Sequence, residues 1–172
     1  MIKTFLIAAV SADGFIAKDE KHPAYWTSKE DKKRFVEITK RAGVVVMGSS
    51  TFETLNRPLS ERQMIVYSRS PKHFEGAETT HDEPTVLLEK LEARGFKEVA
   101  ICGGSHIYTM FLKAQAVNKI YLTIEPIIFG KGITLFKEEM NFHLNLISAE
   151  KSESGSILLE YDVNYHGGKL AE

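Results

Sequence analysis

One cysteine stands in the whole chain, Cys102, which excludes an internal disulfide; the paired Cys or His spacings that hold a metal are missing as well. No metal site is expected, and a reducing, cytoplasmic setting follows. Excess charge is also lacking. The 22 Lys and Arg residues against 23 Asp and Glu leave a formal net charge of -1, too weak a field to gather a polyanion, so nucleic acid is not an expected partner. No run approaches the roughly 18 apolar residues that a membrane span requires, which excludes a membrane partner of that kind. The apolar start from Met1 to Val10 is short and leads into Ser11-Ala12-Asp13-Gly14. It reads as a buried first strand rather than a secretory signal.

What is present is the composition of an ordinary globular chain. Its 172 residues, 43% hydrophobic and 26% charged, fit one domain, since a chain of about 150 residues already buries roughly two-thirds of its unfolded surface. That domain is expected over residues 1–166. Residues 167–172 carry neither periodicity nor core residues and read as a flexible tail.

Short apolar runs rich in β-branched residues alternate with amphipathic segments, the pattern of an α/β protein with a largely parallel sheet and crossover helices. The strands are expected at Lys3 to Val10, Val44 to Met47, Gln63 to Tyr67, Val99 to Cys102 and Lys119 to Ile124. All read as central strands covered on both faces. Ser28 with Asp31 three residues on resembles a capping box, which starts a first helix that stops before Gly43. A second short helix starts at Ser50 or Thr51 and ends ahead of Arg57-Pro58. A third spans Pro84 to Ala93, with Gly95 as its stop. A fourth runs from Gly104 or Ser105 to about Ala114, with Ile107, Tyr108, Phe111 and Leu112 on one side. Beyond residue 140, Phe142, Leu144 and Leu146 alternate with polar neighbours, as do Ile157, Leu159, Tyr161 and Val163; this is a C-terminal antiparallel hairpin.

Two glycine segments follow strands and open helices, where free N–H groups and the positive helix end attract phosphate. They are Met47-Gly48-Ser49-Ser50-Thr51 and Cys102-Gly103-Gly104-Ser105-His106-Ile107-Tyr108. Neither is a Walker loop or a GxGxxG fingerprint. Alone, either glycine could serve only a tight turn. Together, at opposite ends of a sheet-edge crevice, they suggest an elongated dinucleotide across the strand ends. Asp31 follows Trp26-Thr27-Ser28 and precedes Phe35 by one helical turn, so a carboxylate and an aromatic ring share a face. A first-turn acid also satisfies the helix dipole; the aromatic and apolar neighbours tip the reading towards a site. Arg57 and Arg62 flank a loop from which an arginine can grip a carboxylate through two parallel bonds. Ser68 and Arg69 close a strand, either holding a ribose phosphate or lying on the surface.

In order from residue 3 to about residue 136, these pieces resemble the dihydrofolate reductase family. The likeness is carried by Leu6-Ile7-Ala8-Ala9, Trp26 with Asp31 and Phe35, Val46-Met47-Gly48 with Thr51-Phe52-Glu53-Thr54-Leu55, Arg57-Pro58-Leu59 with Arg62, Ser68, Gly103-Gly104 with Ile107-Tyr108, and Tyr121-Leu122-Thr123. The resemblance implies a twisted, mostly parallel eight-stranded sheet with about four helices and a C-terminal hairpin. It implies NADPH-dependent reduction of 7,8-dihydrofolate, a small-molecule folate substrate, by a monomer or a homodimer. On this likeness Asp31 is the acid of the pterin pocket, with Thr123 and Trp26 completing the catalytic set. Ile7, Phe35, Leu55, Arg62, Cys102 and Tyr108 are the substrate contacts, Arg62 holding the glutamate α-carboxylate. Ala9 and Ile16 flank the nicotinamide. Gly48, Ser49, Ser50 and Thr51 form one phosphate turn; Gly103, Gly104, Ser105, His106 and Ile107 form the other, with a cis peptide at the double glycine. Ser68 and Arg69 face the adenosine 2′-phosphate, and Lys18 to Tyr25 form a lid.

Three departures stand out. Ser49 replaces a common arginine, Lys32 follows Asp31 where a bulky apolar residue is usual, and Cys102 replaces an aliphatic residue. The stretch Ser11-Ala12-Asp13-Gly14-Phe15-Ile16-Ala17 is closer to the pyrimidine reductases of riboflavin synthesis, which makes reduction of a ribosylaminopyrimidine phosphate the alternative.

Overall fold

The structure is a computed structural model that describes residues 1–55 and 58–167. Arg57, and the expected tail beyond residue 167, lie outside the described residues. In chain order the elements are β1 (Lys3–Ser11), β2 (Phe15–Ala17), a 3-10 turn (Ala24–Trp26), α1 (Lys29–Ala42), β3 (Val44–Gly48), α2 (Ser49–Leu55), β4 (Gln63–Tyr67), β5 (Glu78–Thr80), α3 (Pro84–Ala93), β6 (Glu98–Ile101), α4 (Ser105–Lys113), β7 (Lys119–Glu125), β8 (Ile133–Thr134), β9 (His143–Lys151) and β10 (Ile157–Asn164).

Eight strands form one sheet in the order β5-β4-β3-β6-β1-β7-β10-β9. From β5 to β7 the neighbours are parallel, and β10 pairs antiparallel with both β7 and β9. The parallel strands are buried on both faces, which explains why β3 reads as unbroken valine and methionine (Val44, Val45, Val46, Met47, all fully buried). One core layer, including Leu6, Val44, Val46, Ile101 and Phe111, packs with α3 and α4. On the other face Val45, Met47, Met64 and Ala100 meet Ala42 of α1, and Phe5 and Ile7 meet Ile38.

Helix ends follow local chemistry. The Ser28 hydroxyl accepts the Asp31 N–H at 3.2 Å, and α1 ends at Gly43, whose φ of 76° no side chain tolerates well and whose N–H returns to the Thr39 carbonyl. Pro84 occupies the first turn of α3, where a missing N–H costs nothing.

The five expected strands are all interior strands of the sheet. Sequence reading missed β5 and the separate two-stranded sheet β2-β8: segments of two or three residues are too short to show a period. Cys102 lies just past β6 rather than inside it, and α2 begins at Ser49, one residue earlier than expected.

Candidate active site

Because β1, β3, β4, β5 and β6 all run the same way, their C-terminal ends gather on one side of the sheet. A cleft of about 780 Å³ opens there, the usual ligand position in an open α/β sheet. It runs from the central strand β1 across β6, β3 and β4 to the end of the edge strand β5. The two glycine turns are not at opposite ends of it: Gly48 donates its N–H to the Gly103 carbonyl at 2.8 Å, since β3 and β6 are paired neighbours. The turns form one continuous backbone wall.

Ile7 and Ala9 of β1 line the cleft together with Asp31 and Phe35 of α1, Cys102, and Tyr108 of α4. The Tyr108 hydroxyl is buried and donates to the Ile7 carbonyl at 2.5 Å, fixing α4 against the central strand. Along the glycine wall Gly48, Ser49, Ser50 and Thr51 continue into Gly103, Gly104, Ser105, His106 and Ile107; Ser68 and Arg69 line the far end, and Ile16 and Trp26 the near side. The Gly103-Gly104 peptide is cis. Asp19, Glu20, His22 and Ala24, from the expected lid, also line the cleft.

Three expected site residues are not on the cleft wall. Leu55 packs instead in the core layer beside Phe52 and Leu59. Thr123 is 1% exposed and acts on the cleft only through Asp31, whose carboxylate it faces. The Arg62 guanidinium donates to Thr39 Oγ1 at 3.0 Å and to the Ser60 carbonyl at 2.8 Å. Conversely, Thr80, His81, Asp82 and Glu83 line the far end although sequence reading passed over them. Thr80 ends β5 and the other three follow it as Ser68 follows β4, so the missed strand hid them.

Electrostatics separate Asp31 from the other acids. Burial pushes its carboxyl above the usual carboxylate range, while Thr123, Thr27, Arg34 and Lys32 pull the other way. Burial also drives the Cys102 thiol up to about 12, so it stays protonated and is no nucleophile. Among the described residues no cluster of His, Cys, Asp and Glu could hold a metal. Among the described residues four buried side-chain polar atoms lack a partner within the protein, and two of them belong to residues of the cleft wall: Ser105 Oγ, where α4 opens from the glycine wall, and Trp26 Nε1. An orphaned donor costs about 1–3 kcal/mol unless a ligand or water satisfies it. An orphaned hydroxyl, a continuous glycine wall and the positive end of α4 suit a phosphate-bearing cofactor.

Fold and cleft together define an open α/β architecture whose cleft lies across the ends of parallel strands. Residues 3–156 match the family model described as dihydrofolate reductase, and the chain belongs to that family, an oxidoreductase of the dihydrofolate reductase-like superfamily. It is 36% identical over 121 residues to dihydrofolate reductase type 3 of Salmonella typhimurium, which covers 69% of this chain and 68% of that protein. Among solved structures it is similar to the dihydrofolate reductase of Enterococcus faecalis complexed with NADP(H), at 27% identity and a TM-score of 0.70 over 94% of this chain and 96% of that one. A structure from Shewanella sp. PV-4, provisionally named a riboflavin biosynthesis protein, shares the fold at a TM-score of 0.82 and 23% identity, over 95% of this chain and 99% of that one. No helix among the described residues is long and apolar enough to cross a membrane.

Proposed function

We propose that this protein reduces 7,8-dihydrofolate to tetrahydrofolate with NADPH. The observation that carries the reading is Asp31: a carboxylate on the cleft wall, largely withdrawn from water, with Phe35 one turn along the same helix and Thr123 beside it. Such a group suits a flat heterocycle that presents adjacent N–H donors and gains positive charge as it reacts. The acid pairs with those donors and stabilises the protonated ring, more strongly here than in water. The ring nitrogen takes its proton through water, and the apolar wall of Ile7 and Phe35 holds the ring flat.

NADPH supplies the hydride. This chain's own contribution is to hold that cofactor along the glycine wall, with Ser105, Thr51 and the N–H groups at the start of α4 on the phosphates. Ala9 and Ile16 would flank the nicotinamide, and Ser68 and Arg69 the 2′-phosphate.

One observation favours the alternative substrate, a ribosylaminopyrimidine phosphate. Arg62 is turned to Thr39 rather than into the cleft and Arg69 stands at the end given to the cofactor's 2′-phosphate, so among the described residues no arginine stands ready for a glutamate tail, whereas Lys137 on the wall suits a phosphate. Both substrates are therefore offered side by side with NADPH to the purified protein. Dihydrofolate is expected to be turned over, with Arg62→Ala leaving its KM unchanged, because that guanidinium is engaged by Thr39 and Ser60 outside the cleft wall. Turnover of the pyrimidine phosphate alone would reassign the substrate.

A further inference from the structure

Ser28 caps α1 in an incomplete way. In a capping box, the side chain of the third helical residue folds back onto the cap residue's own N–H, while the cap hydroxyl takes the N–H of that third residue. The second half is present here: Ser28 Oγ accepts the Asp31 N–H at 3.2 Å. The first half is not made by Asp31. Glu125, the last residue of β7, holds the Ser28 N–H on its Oε1 at 2.9 Å and the Ser28 hydroxyl at 2.8 Å.

Glu125 is 2% exposed and lies outside the cleft wall. Its place is fixed from three sides. β7 is paired along its length with β1, Ser11 facing Glu125 in register. The backbone of Glu125 accepts the Ile127 N–H at 2.8 Å. Ser28 is held in turn by Ser156 Oγ at 3.1 Å, from the turn between β9 and β10. A carboxylate at a helix N-terminus is favourable in itself, but a cap residue's N–H is ordinarily within reach of the helix's own third residue. Here that residue is Asp31, the acid of the cleft.

We propose that Glu125 is a positioning residue: by occupying the Ser28 N–H, it denies Asp31 its local capping partner and so keeps the Asp31 carboxylate turned into the cleft. This rests on the reading of Asp31 as the substrate-binding acid. The logic is competitive. Asp31 has two destinations, the N–H of its own cap residue and the cleft, and the first is closed because a better-anchored acid fills it. Asp31 in the cleft is faced by Lys32 and Arg34 of α1, by Tyr108 of α4 and, without charge, by Thr123 of β7 and Thr27. Turning back would give up the Thr123 and Thr27 hydrogen bonds in exchange for the Ser28 N–H, an exchange that Glu125 forbids by holding that N–H itself.

The test is NMR titration of the Asp31 side-chain carboxyl in the full chain without substrate, compared with turnover of dihydrofolate by the same proteins. In the wild type Asp31 titrates above the ordinary carboxylate range. Glu125→Gln keeps an oxygen that accepts from Ser28, so the titration is expected to stay raised. In Glu125→Ala the Ser28 N–H is open: Asp31 turns back, its titration falls into the ordinary range or below it, and kcat drops about 100-fold, the usual cost of a catalytic group displaced by an ångström or so. Adding Ser28→Pro removes that N–H altogether at a residue whose φ of -66° already suits proline, and is expected to raise the titration again. Should Glu125→Ala not fold, Glu125→Asp, one methylene short of Ser28, carries the same comparison. A folded Glu125→Ala or Glu125→Asp protein whose Asp31 titrates as in the wild type overturns the proposal. Absence of dihydrofolate turnover in the wild type overturns the substrate reading instead, and the titration separates the two.

Discussion

Asp31 is held in a place that costs the fold something. Its burial favours the neutral form, so between the ordinary carboxylate range and its raised folded value the native state binds a proton that the unfolded chain has released. Stability therefore falls as pH rises through that interval. Asp31→Asn removes this dependence. The variant is expected to have a Tm a few degrees above the wild type at neutral pH, with the gap closing as pH falls until both side chains are uncharged, a pattern that thermal unfolding across pH 3–8 measures. A higher stability paired with lost turnover is the usual mark of a functional acid. Asp31 was legible in the sequence because Ser28 lies three residues before it and Phe35 one turn after. Arg62 was not, since its hydrogen bond to Thr39 links two elements whose spatial relation no local pattern encodes. Glu125 carries no signal either: a single acid after a strand looks like any surface glutamate until the fold sets it beneath Ser28.

At the scale of elements, the ends that chemistry marks strongly were legible: Ser28 and Gly43 bound α1, Pro84 opens α3, and valine-rich runs give the central strands. What stayed hidden was short. β5 has three residues, Glu78 to Thr80, and its place in the sheet comes from backbone pairing with β4, not from apolar side chains. The β2-β8 pair was hidden for the same reason, though it sets Ile16 and Ile133 against the cleft. Its weak point is Gly132. A Cβ there would sit 2.3 Å from the Ala17 carbonyl oxygen, a backbone atom with little room to yield. Gly132→Ala is thus expected to part the two strands, cost about 1–3 kcal/mol as overpacking does, and weaken NADPH binding more than it lowers Tm. Chemical denaturation and calorimetry on one preparation check both halves.

For the whole molecule, strand order decides where the site is. Placing β6 between β1 and β3 joins the two glycine turns, which a linear reading had set at opposite ends of a crevice. Composition and periodicity could announce an α/β sheet, but the order of strands depends on long-range pairing, and with it the cleft's position. If that wall holds a dinucleotide, NADPH should stabilise the entire domain: at a concentration 100-fold above Kd the gain is about 2.7 kcal/mol, or a Tm rise of about 5–10 °C for a chain this size. Absence of any shift at millimolar NADPH would contradict a cofactor site there. The most direct measurement is the initial rate of NADPH oxidation with dihydrofolate, wild type against Asp31→Asn, both shown to be folded. A wild-type rate that falls about 100-fold or more in the variant is the expected result; no dihydrofolate-dependent rate, or one that Asp31→Asn leaves unchanged, would contradict it.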